Sequence, residues 1–197
     1  MKIVLASASI YRAQLLRRIL EDFETYPADI DETPSPGEKG TALAARLARA
    51  KAETVAARHP RSLIIGSDQV ALLGMGSSAE QVLGKPGNFE NARAQLLACS
   101  GREVVFHTAC CVIDGSAGNA HCFDDSYRVC FKALAMPAIE NYLRREQPYD
   151  CAGSIKTEGL GIALLASQQG RDPTSPLGLP LMLLVDVLER CGVKILQ

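Results

Sequence analysis

A carboxylate at the end of a buried segment is the most informative chemical feature of the sequence. Asp68 follows Leu63-Ile64-Ile65-Gly66, which has the composition of a central strand. An unpaired buried charge is costly, so this carboxylate needs a cation, a metal ion or hydrogen-bond donors beside it. The alternative is a turn aspartate that bonds its own backbone. Because residues 69–73 continue the strand pattern, no chain reversal is needed at Asp68.

A second source of carboxylates is the loop DIDETPSPGEKG, whose Pro and Gly content excludes regular structure. It contains Asp29, Asp31 and Glu32, three acids that could simply be solvated. A hard cation such as Mg²⁺ takes one or two carboxylates and completes its shell with water and phosphate oxygens. Asp68 together with one of these loop carboxylates would therefore suffice as protein ligands for such a cation.

Two lysines could supply positive charge to an anionic ligand. Lys51 stands four residues after Leu47 and eight after Leu43, so it shares the apolar face of a predicted helix. Its ammonium either reaches a buried anion or extends past the edge of the core to solvent. Lys85 is the second lysine, and its backbone is restricted because Pro86 follows it.

The segment LASASIYRAQLL places Ser7, Ser9 and Arg12 where a strand is predicted to run into a helix. In open α/β sheets ligands lie beyond the carboxyl ends of strands, where helix amides point outward. These amides, the hydroxyls and the guanidinium could together hold phosphate. The alternative is simple N-capping by Ser9, with Arg12 in solvent.

The segment CAGSIKTEGLGI is rich in glycine and carries Lys156 and Glu158. A strand would place these two side chains on one face, because side chains alternate with a period of two. The glycines either mark a bulged strand or let the backbone approach a flat ring.

The remaining elements predict a mixed, partly antiparallel α/β sheet flanked by helices. Residues 2–6 are predicted as a strand, followed by a helix capped by Ser9 with an apolar face of Leu15, Leu16, Ile19 and Leu20. Further predicted elements in the first half of the chain are an extended piece at 23–27, a helix capped by Thr41 that runs to about Arg58, a strand from Ser62 interrupted at 66–68, and a hairpin tip at 74–81. They are followed by a helix over 88–99, antiparallel strands at 102–114 and 120–134, a helix from Pro137 to about Glu146, and a C-terminal helix closed by Gly192.

Composition excludes several classes of protein. The chain has 197 residues, 47% of them hydrophobic, and a net charge of −1, which argues against a nucleic-acid-coating protein. No long apolar stretch predicts a membrane span or a signal peptide, so we expect a cytoplasmic protein. Seven cysteines without a C-x-x-C pair favour reduced thiols, and no cysteine and histidine spacing supports a zinc site.

Taken in order along the chain, these motifs resemble the Maf family of nucleotide pyrophosphatases. The resemblance covers nearly the whole chain and rests on LASASIYR, DET, Lys51-Ala52, IIGSDQV, LGKP, CAGSIKTEG and GLPL. It implies one domain over residues 1–197 with an inosine triphosphatase-like (Maf/Ham1) fold and a cleft between two lobes. It also implies hydrolysis of nucleoside triphosphates to monophosphate and pyrophosphate with a divalent metal cation.

The same resemblance implies roles for individual residues. Asp68 matches the proposed proton acceptor of the family, and the matching polar cleft residues are Ser7, Arg12, Glu32, Lys51 and Lys85. Tyr11, Gln69 and Glu158 stand at the positions taken to govern base choice. They are similar to the branch that acts on 7-methyl-GTP, in a house-cleaning role against modified nucleotides. N7-methylguanine is cationic, so Tyr11 could attract it through its ring and Glu158 through its carboxylate.

Other functions remain open at this point. The chain could be a pyrophosphatase for dTTP, UTP or another modified nucleotide, or a nucleotide-binding regulator of cell division without catalysis. In each case the partner is a small nucleotide and neither nucleic acid nor a membrane. The resemblance implies a homodimer, and the strand pair at 102–134 could offer edges to a second copy.

Overall fold

The computed structural model describes residues 1–196. Within them the chain forms strands β1 (Ile3–Leu5), β2 (Glu24–Thr25), β3 (Leu63–Leu73), β4 (Gln81–Leu83), β5 (Glu103–Asp114), β6 (Asn119–Phe131) and β7 (Leu165–Gln169). The α-helices are α1 (Ile10–Leu16), α2 (Gly40–Ala56), α3 (Phe89–Cys99), α4 (Met136–Glu146) and α5 (Leu181–Arg190).

The strands form one sheet in the order β2-β1-β3-β5-β6-β7, with β4 paired to β3. β1 is parallel to both β2 and β3, whereas β3 with β4 and β6 with β7 are antiparallel. The predicted mixed α/β sheet is therefore confirmed. The expectation of free edges on the long strand pair is wrong for β5, because β5 lies between β3 and β6. The homodimer itself stays a prediction.

The chain divides into two compact units. The first comprises residues 1–69, 108–125 and 172–196, and the second comprises Val70–His107 and Ser126–Arg171. β3, β5 and β6 each contribute residues to both units, since the boundaries fall within these strands. That residues 1–197 form a single domain stays a prediction.

Each unit has its own apolar core. In the first unit, Leu5 of β1 and Ile65 of β3 pack with Leu16 of α1 and Leu184 of α5. In the second, residues of β3 and β5 pack with the buried faces of α3 and α4, including Phe106, Leu96, Ile139 and Leu143. Leu15 and Leu16, predicted on the apolar face of the first helix, are buried in the core of the first unit.

Helix α2 and strand β3 approach each other closely at Gly66. A β-carbon at this position would overlap the carbonyl oxygen of Ala48 and lie 2.7 Å from the amide nitrogen of Ala52. Both alanines belong to α2. The backbone of β3 can therefore lie directly against α2 only because residue 66 has no side chain.

Three predicted local structures are wrong. Thr41 does not cap α2, because the helix already begins at Gly40 after an extended Lys39. β3 is not interrupted at 66–68, since it runs unbroken from Leu63 to Leu73. The segment with Lys156 and Glu158 is not a strand: residues 152–154 and 160–164 form 3-10 turns, and Gly153 has a positive φ of 67°.

The prediction of seven reduced thiols is wrong for one pair. Cys111 of β5 and Cys122 of β6 form a disulfide, with their Cα atoms 4.1 Å apart. Neighbouring strands bring such residues face to face, but which residues meet depends on the strand register, which spacing along the chain does not reveal. Cys99 and Cys110 are buried, and burial raises the pKa of each thiol to about 12.

Among the described residues, the helices are all too short or too polar to cross a membrane.

We expect Gly66→Ala to destabilise the protein by about 1–3 kcal/mol, because the added methyl group has no room between β3 and α2. The measurement is urea unfolding followed by circular dichroism. Gly84→Ala is the matched control, because a β-carbon there would meet nothing within 4 Å. Equal midpoints for the two variants would contradict the close approach.

Candidate active site

Lys51 is a buried cation on the apolar face of α2. It follows Leu43 and Leu47 on the same side of the helix, and all three residues are buried. Only 9% of its side chain is exposed, so it does not extend to solvent. Of the two alternatives left open for Lys51, the structure therefore has the one in which its ammonium reaches an anion.

Two carboxylates share the ammonium of Lys51. Its Nζ lies 2.7 Å from Oδ1 of Asp68 and 2.7 Å from Oε1 of Glu32. The Asp68 side chain is 10% exposed and that of Glu32 is 58% exposed. The buried carboxylate that the sequence placed at Asp68 therefore has the cation it requires.

Arg12 belongs to the same charged group. Burial lowers the pKa of its guanidinium, while the negative charges of Asp68 and Glu32 act in the opposite direction. We refer to Arg12, Glu32, Lys51 and Asp68 as the charged cluster. It contains two cations and two carboxylates, and all four lie in the first unit.

The turn before α1 orients Arg12. Ser9 is the N-cap of α1, as predicted, and its hydroxyl accepts a hydrogen bond from the amide of Arg12 at 3.4 Å. The hydroxyl of Ser7 accepts one from the amide of Ser9 at 3.1 Å. Arg12 is not simply solvated, because its Nε donates to the carbonyl oxygen of Gly178 at 3.1 Å.

The loop that carries Glu32 is tied to α2 by Arg46. Nε and Nη2 of Arg46 donate to the two oxygens of Glu38 at 2.7 and 2.8 Å, and Nη2 also donates to the carbonyl of Thr33 at 3.1 Å. The hydrogen bonds from Arg46, together with one from the amide of Ser35, lower the pKa of Glu38 to about 2. Sequence reasoning missed Arg46, because its contacts with the loop depend on how the loop folds back on α2.

A second group of contacts surrounds the turn at 175–178. The carbonyl of Gly178 accepts from Arg12 and also from the hydroxyl of Ser67, at 2.8 Å. The carbonyl of Ser175 accepts from Gln69 and from Thr108, each at 2.7 Å. Ser67, Thr108 and Ser175 were not predicted as site residues. The GLPL motif, which begins at Gly178, was a sequence signal for this turn, and Gly178 has a positive φ in the structure.

Three predicted site residues belong to the second unit. Lys85 and Glu158 are exposed, while Lys156 is half-buried. The ammonium of Lys156 donates to the carbonyl of Glu146 at 3.1 Å and lies 3.5 Å from a carboxylate oxygen of the same residue. Tyr11 lies in the first unit, half-buried in the first turn of α1. The roles of these residues toward a ligand stay predictions.

The carboxylates of the charged cluster have the chemistry of a site for a hard cation. Glu32 and Asp68 each place one carboxylate oxygen 2.7 Å from the same Lys51 ammonium. No group of three or more His, Cys, Asp or Glu side chains suited to a metal occurs in residues 1–196. Two carboxylates fit Mg²⁺ or Mn²⁺ when water and phosphate oxygens complete the shell, as Mg²⁺ usually requires.

A family comparison matches the chain over residues 2–191 to the model described as Maf-like protein. The chain belongs to the Maf family. Its Maf relatives include proteins named 7-methyl-GTP pyrophosphatase from Nitrosococcus oceani and from Pseudomonas fluorescens, each 49% identical over 98% of this chain and 95% or 97% of the relative. A third, from Cupriavidus metallidurans, is 47% identical over 96% of this chain and 93% of the relative.

Among solved structures, the chain is similar to a HAM1 protein from Coxiella burnetii. The TM-score is 0.54 at 17% sequence identity, over 96% of this chain and 99% of the other. At this identity the likeness shows the fold alone. It confirms the predicted Maf/Ham1 type of α/β fold.

We expect Lys51→Met to lower the free energy of unfolding by about 3 kcal/mol, because it leaves Asp68 as a buried charge without its nearest cation. Arg49→Met on the same helix is the control: its pair with Glu53 is exposed, and such pairs contribute at most about 1 kcal/mol. Denaturant unfolding of both variants measures the difference. A loss at Lys51 no larger than that at Arg49 would contradict the buried pair.

We expect Arg46→Met to free the loop that carries Glu32, since it removes every hydrogen bond that Arg46 makes to Glu38 and Thr33. A protease that cleaves after glutamate should then cut at Glu32 and Glu38 several times faster than in the wild type, with Arg49→Met again as the control. Unchanged cleavage rates would show that Arg46 does not hold the loop.

Proposed function

We propose that this Maf protein is a nucleoside-triphosphate pyrophosphatase that hydrolyses 7-methyl-GTP to 7-methyl-GMP and pyrophosphate. The observation that carries the proposal is the charged cluster, which combines cations for phosphate with carboxylates for a metal ion and for water. The name of the relatives at 47–49% identity supports the choice of nucleotide.

Binding of the triphosphate is assigned to cations and hydroxyls. Arg12 is anchored through Nε, and its guanidinium carries further donors on Nη1 and Nη2 that suit phosphate oxygens. Ser7 and Ser9 bring hydroxyls and helix amides to the start of α1. Lys51 and Lys85 are proposed to neutralise the remaining charge of the phosphates.

Glu32 and Asp68 are the residues that would hold a divalent cation, Mg²⁺ or Mn²⁺. When bound, such an ion neutralises charge on the phosphate oxygens. Lys51 keeps the two carboxylates together without it, because both lie 2.7 Å from the same ammonium.

Asp68 is the proposed proton acceptor for the attacking water. A carboxylate has two oxygens, so Asp68 can keep its ion pair with Lys51 through Oδ1 and accept a proton on Oδ2. The water oxygen forms a bond to the α-phosphorus while the bond from that phosphorus to the α,β-bridging oxygen breaks. Pyrophosphate is then the leaving group, and charge stabilisation by Arg12 and Lys51 supplies much of the acceleration.

Recognition of the base is assigned to Tyr11, Gln69, Lys156 and Glu158. The cationic ring of N7-methylguanine suits stacking on Tyr11 and attraction to the Glu158 carboxylate. This preference is the basis for a house-cleaning role against modified nucleotides.

The deciding experiment is a nucleotide panel assayed for pyrophosphate release with Mg²⁺ or Mn²⁺. The panel contains 7-methyl-GTP, GTP, ATP, UTP and dTTP. Highest kcat/KM for 7-methyl-GTP is expected. Highest kcat/KM for UTP or dTTP would overturn the substrate assignment, and tight binding without hydrolysis of any nucleotide would indicate a regulator instead.

We expect Asp68→Asn to lower kcat for 7-methyl-GTP about 100-fold or more, because an amide cannot accept the proton of water. Asp186→Asn, on the exposed side of α5, is the matched control and should retain full activity. Circular dichroism of both variants checks that they fold. Unimpaired turnover by Asp68→Asn at saturating metal would refute its role as the base.

A further inference from the structure

The side-chain amide of Gln69 is held by two groups that face it from other elements. Its Nε2 lies 2.9 Å from the hydroxyl of Thr108, in β5, and 2.7 Å from the carbonyl oxygen of Ser175, in the turn at 175–178. The Thr108 hydroxyl lies 2.7 Å from that same carbonyl oxygen. The three groups therefore form a closed triangle of hydrogen bonds.

The chemistry of the partners fixes where each proton lies. A carbonyl oxygen only accepts, so the Gln69 atom beside Ser175 must be the nitrogen of the amide. The Thr108 hydroxyl has one hydrogen and gives it to the same carbonyl, so it must accept from Gln69. The amide nitrogen of Gln69 thus faces both Ser175 and Thr108, and Oε1 is the group of the side chain that is left to bind a ligand.

The groups that hold Gln69 are themselves rigid. Thr108 and Ser175 are fully buried. The Ser175 hydroxyl donates to Oδ2 of Asp125 at 2.5 Å, and its carbonyl also accepts from the amide of Gly178 at 3.0 Å. A side chain bonded to such fixed partners loses little further rotamer freedom when a ligand binds.

Gln69 is also placed where a ligand can reach it. Of the eleven residues of β3, it is the one that is not buried. It directly follows Asp68 of the charged cluster, and Arg12 is bonded to Gly178 in the same turn that holds Gln69.

We propose that Thr108 and the Ser175 carbonyl lock the Gln69 amide so that its Oε1 is presented as a fixed hydrogen-bond acceptor that selects bases with an N–H donor on their pairing edge. This inference rests on the proposed function and deepens it. Guanine offers adjacent donors at N1 and N2, whereas adenine presents an acceptor at N1 that would face Oε1 without a proton between them. Thr108 is then a positioning residue that acts through Gln69.

The test compares kcat/KM for 7-methyl-GTP with kcat/KM for ATP. Thr108→Val removes the hydroxyl at nearly constant volume and frees the Gln69 amide, so the ratio should fall about fivefold or more, the equivalent of one hydrogen bond. Thr108→Ser keeps the hydroxyl and should restore the ratio. Tyr11 and Glu158 are unchanged in both variants, so their contribution to the ratio cancels.

Ser100→Ala is the structural control. It removes one hydroxyl that accepts from the amide of Leu134 at 2.7 Å in the second unit. It should lower stability and leave the ratio unchanged, which separates loss of a hydrogen bond from loss of selection.

A double-mutant cycle shows whether Thr108 acts through Gln69. Gln69→Met alone should lower the ratio as Thr108→Val does, and adding Thr108→Val to it should change nothing more. An unchanged ratio in Gln69→Met overturns the inference even if Thr108→Val does not fold. A wild type that hydrolyses 7-methyl-GTP with a ratio insensitive to all these variants overturns the lock alone, while a wild type inactive on every nucleotide overturns the proposed function as well.

Discussion

The buried ion pair between Lys51 and Asp68 is the interaction on which the candidate site depends. It requires α2 and β3 to approach closely, and Gly66 permits this because the strand backbone lies against Ala48 and Ala52 there. Asp68 follows Gly66 by two residues, and Lys51 precedes Ala52 by one. The missing side chain at residue 66 therefore allows α2 and β3 to come close enough for the ammonium and the carboxylate to meet, at 2.7 Å.

β3 also connects this ion pair to the turn at 175–178. Successive strand side chains point to opposite faces, and Asp68 indeed bonds Lys51 while its neighbours Ser67 and Gln69 bond carbonyls of the turn. The carbonyl oxygen of Gly178, in the same turn, accepts a hydrogen bond from Nε of Arg12. One central strand thus fixes the buried carboxylate on one face and a neutral amide on the other, and the turn bonded to this strand also orients Arg12.

The sequence predicted the parts of this arrangement that depend on periodicity and burial. The inward phase of Lys51, the buried carboxylate at Asp68 and the Ser9 cap follow from local patterns, and the structure has all three. The tertiary contacts of the 175–178 turn and the Cys111–Cys122 pair were not predictable, because they depend on register and on main-chain carbonyls. Every residue has a main-chain carbonyl, so an acceptor of this kind cannot be recognised from the residue types in the sequence.

The charge balance of the cluster bears on what kind of ligand it suits. The positive charges of Arg12 and Lys51 balance the negative charges of Glu32 and Asp68. Burial lowers the pKa of Arg12, and the two carboxylates oppose that shift. A polyphosphate without a metal ion would be repelled by the carboxylates of Glu32 and Asp68. A metal ion without a nucleotide would be repelled by the cations of Lys51 and Arg12. A metal–nucleotide complex carries negative phosphates and a positive metal ion. The phosphates are attracted by Lys51 and Arg12, and the metal ion is attracted by Glu32 and Asp68. Under the proposed function, the cluster therefore favours the complex over either component by electrostatics alone.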